Sequence, residues 1–260
     1  MTVVALTSAK GSPGVTTTAL GLASVWAVAH PTRRVLLAEV DPAGGDIAAG
    51  FLRGESLAGR GLLALAAQRG HDPVAALWSQ LLTLDDEQRS LLLLGLSDPT
   101  RSAALDGAWT ALAQAIDLLR SDEPDLDVLL DCGRLGAAHD PRVLRQRADR
   151  IVLVAGSSAA AAVSARAAAR RLSDESAAQV GLVVVGPDRP YSAQDVADAT
   201  QVPLLGALAF DPTTASIWSQ GVRPNRRLMR SPLARQVRAL ASSVAVSPAD
   251  DVVGSSVRVP

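Results

Sequence analysis

The sequence predicts an α/β fold, a single domain built on one mainly parallel, doubly wound sheet. Three observations predict it. Short apolar runs alternate with longer helical stretches along most of the chain. The runs lack polar alternation, as expected of strands buried on both faces. The first run leads through a Gly-containing turn into a long apolar helix, the order that begins a βαβ unit. At 260 residues the chain is long enough to bury one large core.

The expected strands are 3–7, 35–40, 91–96, 128–131, 151–155, 181–185 and 204–209. The first helix is expected over 16–30, directly after the turn. Segments 62–69 and 73–82 are Ala/Leu-rich and read as short helices. Segment 104–120 carries apolar residues at helical spacing, and 159–172 is dominated by alanine. Segments 191–199 and Pro232–Val244 complete the set. Residues 42–90 hold several short helices and loops. No internal repeat or linker is visible, so 1–245 is expected to form the domain. The tail 246–260 is polar, ends in proline and is expected to be flexible.

Bulk properties exclude several function classes. The net charge of −1 gives no whole-protein field that would draw the chain to nucleic acid. Aromatic residues make up only 3%, too few for base-stacking platforms as the main activity. The lone Cys132 excludes an internal disulfide and fits a reducing cytoplasm. The three histidines are scattered without metal-ligand spacing. Met1 runs directly into the first strand without a basic leader, and no apolar run approaches a membrane span. A cytoplasmic location is therefore expected.

The turn after the first strand reads Ser8-Ala9-Lys10-Gly11-Ser12-Pro13-Gly14-Val15-Thr16-Thr17-Thr18. Strand, glycine-containing turn and helix aim backbone N–H groups and a helix N-terminus at a phosphate. Gly11 and Gly14 allow close backbone approach. Thr16 can offer a hydroxyl to Mg²⁺ and Thr17 another to a phosphate. Lys10 is the single lysine among 25 basic residues. The other 24 are arginines, a composition that fits a GC-rich genome. A retained lysine suits a place that needs a compact ammonium on a flexible stem. The standard phosphate-loop pattern is not met, because Ala9 stands at its first glycine and Val15 at its lysine.

The stretch from Lys10 to Thr17 resembles the deviant Walker A loop of the MinD/ParA ATPases, K-G-G-x-G-K-[ST]-[ST]. Lys10 falls on that family's signature lysine, Ser12 replaces a glycine, and Val15 replaces the in-cis lysine. Residues 35–46 (VLLAEVDPAGGD) resemble the family's switch I strand, with Glu39 at its first acid and Asp41 at its second. Residues 126–132 (LDVLLDC) resemble its Walker B strand, which ends at Asp131. Gly133-Arg134 replaces a common Pro-Pro, so switch II is atypical. Later segments fit in order, and the resemblance covers most of residues 1–245. It implies that ATP or ADP and Mg²⁺ bind at Lys10, Gly11, Ser12, Pro13, Gly14, Val15, Thr16 and Thr17. It assigns Asp41 a role in placing water and the metal shell, and Asp131 and Thr16 to Mg²⁺, the carboxylates acting through water. Lys10 would reach the nucleotide of a partner subunit across a homodimer.

From Pro212 to Ala249 the chain has no acidic residue and six arginines: Arg223, Arg226, Arg227, Arg230, Arg235 and Arg238. Two readings stand. Arg223, Arg226, Arg227 and Arg230 form a surface for the phosphates of nonspecific DNA, or the segment is a capping helix whose arginines are merely solvated. The tail carries Asp250-Asp251 and small residues, not the amphipathic helix of membrane docking. The resemblance thus implies a dimeric, nucleotide-dependent switch in bacterial positioning or partitioning, with an unidentified protein partner. Val15 keeps open a second function, a non-catalytic adaptor of the kind seen at pilus-assembly sites.

Overall fold

The computed structural model describes residues 1–10, 13–54, 59–68 and 70–245. The tail 246–260 lies outside the described residues, as do Gly11 and Ser12. Strands β1 (Val3–Ser8), β2 (Arg34–Glu39), β3 (Leu82–Thr83), β4 (Ser90–Leu93), β5 (Leu126–Arg134), β6 (Arg150–Gly156), β7 (Gln179–Val185) and β8 (Leu204–Leu208) form one sheet. Its order is β3-β4-β2-β5-β1-β6-β7-β8. Every pairing is parallel except β3 with β4.

Side chains that alternate along the central strands feed two cores. Val3 and Ala5 of β1 and Leu36 and Ala38 of β2 face a layer formed by α2 (Leu62–Ala67), α3 (Pro73–Trp78), α4 (Leu105–Asp122), α5 (Arg142–Arg145), α6 (Ala159–Glu175) and α7 (Ala193–Thr200). Val4, Leu6, Val35 and Leu37 face the opposite layer of α1 (Val15–Ala29), α8 (Pro212–Ser219) and α9 (Pro232–Val244). Both faces of the sheet are covered, which explains the unbroken apolar strands. Among the described residues no helix is long and apolar enough to cross a membrane.

The seven strands expected from the sequence are present. The helix expected over 73–82 is shorter and ends at Trp78. Leu82 and Thr83 instead pair antiparallel with Leu92 and Leu91 as an edge strand, a choice made by the neighbouring strand and not by local propensity. Helices α5 and α8 are additional. The start of α8 is nevertheless signalled locally: Asp211 accepts a hydrogen bond from Thr214 N–H at 3.0 Å, with Pro212 in the first turn.

Buried and half-buried acids at the N-terminal edge of the sheet are paired. Asp127 accepts from Thr2 N–H at 2.6 Å and Trp26 Nε1–H at 3.0 Å, and it forms an ion pair with Arg33. Asp149 accepts from Val3 N–H at 2.7 Å and pairs with Arg120 at 3.1 Å. The C-terminal edge is built differently.

Candidate functional site

Strand order reverses around β1. The chain goes from β1 past β5 to β2, and later from β5 past β1 to β6. Ligands of open α/β sheets bind in the crevice that such a reversal opens beyond the strand C-termini. Three segments meet there: Ala9, Lys10, Pro13 and Gly14 after β1, residues 40–47 after β2 and the end of β5.

The loop after β1 ends at Gly14, whose φ of 90° lies in the left-handed region. Helix α1 starts directly behind it. Its first turn has no acidic residue and no side-chain cap, so its leading N–H groups remain available to an anion. Lys10 is exposed and forms no ion pair among the described residues. Thr16 and Thr17 are half-buried. Val15, the first residue of α1, is buried in the core that α1 shares with α8 and α9, so the position that would carry an in-cis lysine contributes to the core instead.

The end of β5 carries a bulge. Leu6 of β1 pairs with Asp131, but Ser8 pairs with Arg134, so β5 holds one extra residue. Gly133 fills it at a φ of 57°. Its carbonyl accepts from the Thr7 hydroxyl at 3.1 Å, and Ser8 O accepts from Leu135 N–H at 2.9 Å. Asp41 packs directly on Gly133, where a Cβ would collide with its carboxylate. Asp131 accepts from Gly133 N–H at 3.2 Å, and Asp131 O accepts from Val40 N–H at 2.8 Å. The fold thus brings Asp41 and Asp131 into one crevice with Thr16.

The electrostatics of this crevice are unbalanced. Asp131 is fully buried, and its Oδ2 has no hydrogen-bond partner among the described residues. Burial pushes its carboxyl up to about 6; the Thr16 hydroxyl pulls the other way without closing a short bond to Oδ2, and Asp41 and Asp46 add repulsion. Burial likewise raises the Asp41 carboxyl, which the Ala43 N–H (2.8 Å) and the charge of Arg134 only partly offset. None of the three acids Asp41, Asp46 and Asp131 forms an ion pair among the described residues.

Glu39 has a different place from that of a ligand-facing acid. It is buried at the end of β2, and it accepts from Ile47 N–H and Gly95 N–H, each at 2.9 Å. It braces the 40–47 loop against the exit of β4. Burial pushes its carboxyl up to about 7 despite those two bonds.

Sequence reasoning did not find the cavity that adjoins the loop. It measures about 300 Å³ and is lined by Pro13, Gly14, Thr17, Val185, Leu208 and Phe210, among others. It is formed where the ends of β7 and β8 meet the start of α1, a juxtaposition that no local pattern announces. Its apolar walls beside a phosphate-type loop suit a flat heterocycle.

An implied Mg²⁺ can be tested against these residues. Among the described residues no three His, Cys, Asp or Glu side chains gather as a metal site. The orphaned Oδ2 of Asp131 beside Thr16 nevertheless fits a hard cation that takes most of its other oxygens from phosphate and water.

Arg223, Arg226, Arg227 and Arg230 are exposed and form no ion pair among the described residues. Leu233, Val237, Leu240 and Val244 of α9 are buried against α1 and α8. The packing of the capping-helix reading is therefore present, and the arginines lie on its outer side and in the preceding segment.

No protein-family model matches the chain, and no curated protein sequence matches it. Solved structures do match. The septum site-determining protein MinD of Pyrococcus horikoshii, solved with Mg-ADP, is 19% identical over 97% of each chain, with a TM-score of 0.73. The ParA family ATPase of Chlorobium tepidum is 12% identical, covers 92% of this chain and 98% of its own, and has a TM-score of 0.70. The ATP complex of Cyanothece McdA(D38A) is 14% identical, covers 95% of this chain and 99% of its own, and has a TM-score of 0.66. The chain has the single-domain α/β fold of these MinD- and ParA-type ATPases, with eight strands in a mostly parallel sheet.

Proposed function

We propose that this protein is a nucleotide-dependent switch of the MinD/ParA type that binds ATP or ADP with Mg²⁺ and acts as a homodimer in positioning or partitioning. The observation that carries this reading is the crevice of uncompensated carboxylates. At the other edge of the sheet, buried Asp127 and half-buried Asp149 each have an arginine. Beside the phosphate-type loop, fully buried Asp131 keeps an oxygen without a hydrogen-bond partner among the described residues. Buried charge without a partner is costly; taking up a proton relieves that cost, and so does a cation from outside the chain, which leaves the carboxylate ionised.

In this reading the first-turn N–H groups of α1 cradle the phosphates, and the Thr17 hydroxyl adds a donor. Thr16 and Asp131 would hold Mg²⁺, the carboxylate through water, and Asp41 would orient the attacking water. The metal, when bound, neutralises phosphate charge. Gly11, Ser12, Pro13, Gly14 and Val15 contribute main chain. Phosphoryl transfer depends mainly on positioned positive charge. Val15 supplies none, so hydrolysis of ATP to ADP and phosphate is slow or requires a partner protein. Lys10, exposed on the loop, supplies its ammonium to the nucleotide of a second subunit. The deviant Walker A assignment rests on the order of these residues together with the crevice they share.

A second reading has its own observation. Val15 is part of the core, as expected of a scaffold that keeps the fold and scaffolds partners without turnover. Calorimetry on protein freed of nucleotide tests the first reading. Mg-ADP is expected to bind, more weakly than to relatives with both lysines. Absence of heat and of any thermal shift at millimolar nucleotide would leave the adaptor reading.

A further inference from the structure

The cavity beside the phosphate loop carries a side chain that the core does not need. Phe210 is one of two phenylalanines in the chain and is 57% exposed. A ring that stays this open contributes little to folding. Its surroundings are nevertheless built. The Arg189 guanidinium carbon lies 4.7 Å from the ring centroid, within cation–π range. Gly186 lets the backbone pass close to the base of this side chain: a Cβ there would stand 3.3 Å from Phe210 Cβ. The buried Ser157 hydroxyl lies 2.6 Å from the Gly186 carbonyl and 2.8 Å from the Arg189 carbonyl, and so ties down the loop that carries Arg189.

Polar side chains at this end of the cavity are mostly engaged within the protein. Both Asp211 oxygens accept from Thr214, at 3.0 Å from N–H and 2.6 Å from Oγ1–H. The Ser219 hydroxyl donates to Ala215 O at 3.2 Å. Among the described residues, the lining side chains whose polar atoms have no hydrogen bond are Gln220 and, on α1, Thr17 and Thr18.

We propose that Phe210, backed by Arg189, is the surface on which the base of a bound nucleotide stacks, and that the site takes purine nucleotides with little discrimination between adenine and guanine. This rests on the nucleotide reading above. Stacking uses the π-face, which every base has and which is larger in a purine. Strong discrimination requires buried donors and acceptors that the wrong base leaves unpaired. Apart from the threonines of α1, the lining side chains offer one amide for that purpose.

The test titrates nucleotide-free full-length protein with Mg-ADP, Mg-GDP and inorganic tripolyphosphate with Mg²⁺. Wild type is expected to bind ADP and GDP within about fivefold of each other. Phe210→Ala is expected to weaken both by about tenfold or more, following the usual worth of one base–aromatic stack. Tripolyphosphate affinity should be unchanged, because it presents no base. Phe210→Trp should restore nucleotide binding. Because Phe210 is largely exposed, both variants should keep the wild-type circular dichroism spectrum. Wild-type ADP affinity in Phe210→Ala, or a preference between ADP and GDP above a hundredfold, overturns the stacking proposal while the nucleotide reading stands. A wild type that binds neither ADP nor tripolyphosphate overturns both.

Discussion

Gly133 concentrates the geometry of the crevice in one position. Its φ of 57° suits glycine, and its missing Cβ is what lets the Asp41 carboxylate approach β5. A left-handed conformation costs about 1–2 kcal/mol in any other L-residue, and the collision with Asp41 adds to it. Gly133→Ala is therefore expected to lower stability by about 2 kcal/mol and to displace Asp41. Chemical denaturation reads the first effect. Loss of Mg-nucleotide binding beyond what the stability change explains reads the second; unchanged binding would remove Asp41 from the site. Lys10 makes the opposite case, since it does nothing within its own subunit among the described residues. Lys10→Ala should reduce nucleotide-dependent dimerisation more than it reduces nucleotide binding, and Lys10→Arg should not rescue it, because a planar fork does not fill a point-charge site. Sedimentation with a nonhydrolysable ATP analogue checks this. A variant that dimerises like wild type would end the trans role.

At the scale of elements, the segment from α8 to α9 combines two features that the sequence left as alternatives. The apolar stripe of α9 is buried on α1, whereas Arg223, Arg226 and Arg227 remain exposed in the stretch before it. Arg235 and Arg238 donate to Arg230 O and Met229 O, at 2.6 and 2.9 Å, and so help fix the turn between α8 and α9. If the arginines meet DNA phosphates, changing Arg226, Arg227 and Arg230 to Glu should abolish a gel shift without altering the melting temperature, and wild-type binding should fall steeply with salt. Unchanged binding in that variant would place the contact elsewhere. Element identity was legible where one rule decided it, as in the unbroken apolar strands and the stripe of Pro232–Val244. It was not legible at Leu82, where pairing with β4 overrides the helical composition of the preceding residues.

For the whole molecule, the carboxylates of the crevice make stability depend on pH in a defined direction. Glu39 goes from an ordinary value of 4.5 to about 7, and Asp131 from 3.8 to about 6. Between these values the folded chain binds more protons than the unfolded one. Stability is therefore fully present below the ordinary values and is lost as pH rises through about 6 to 7. The melting temperature of the nucleotide-free protein should fall from pH 5 to pH 8 through these two groups. Glu39→Gln should flatten that slope. Saturating Mg-ADP should flatten it further, because a cation beside Asp131 favours the ionised form. A slope of the opposite sign would mean that other groups dominate.

The sequence by itself determined the fold class, the order of the strands along the chain and the three segments that meet in the crevice. These are local matters: apolar runs, glycine-bearing turns and acids at strand ends follow from short-range sterics and from burial on both faces. Only the tertiary structure decided which acid faces the crevice. Glu39 and Asp41 are two residues apart, yet one is spent on Ile47 and Gly95 while the other packs on Gly133. It also decided that Val15 belongs to the core and that Phe210 and Arg189 meet beside the phosphate-type loop. Those outcomes depend on strands far apart in sequence that lie side by side in the sheet, and no window of the chain contains both partners.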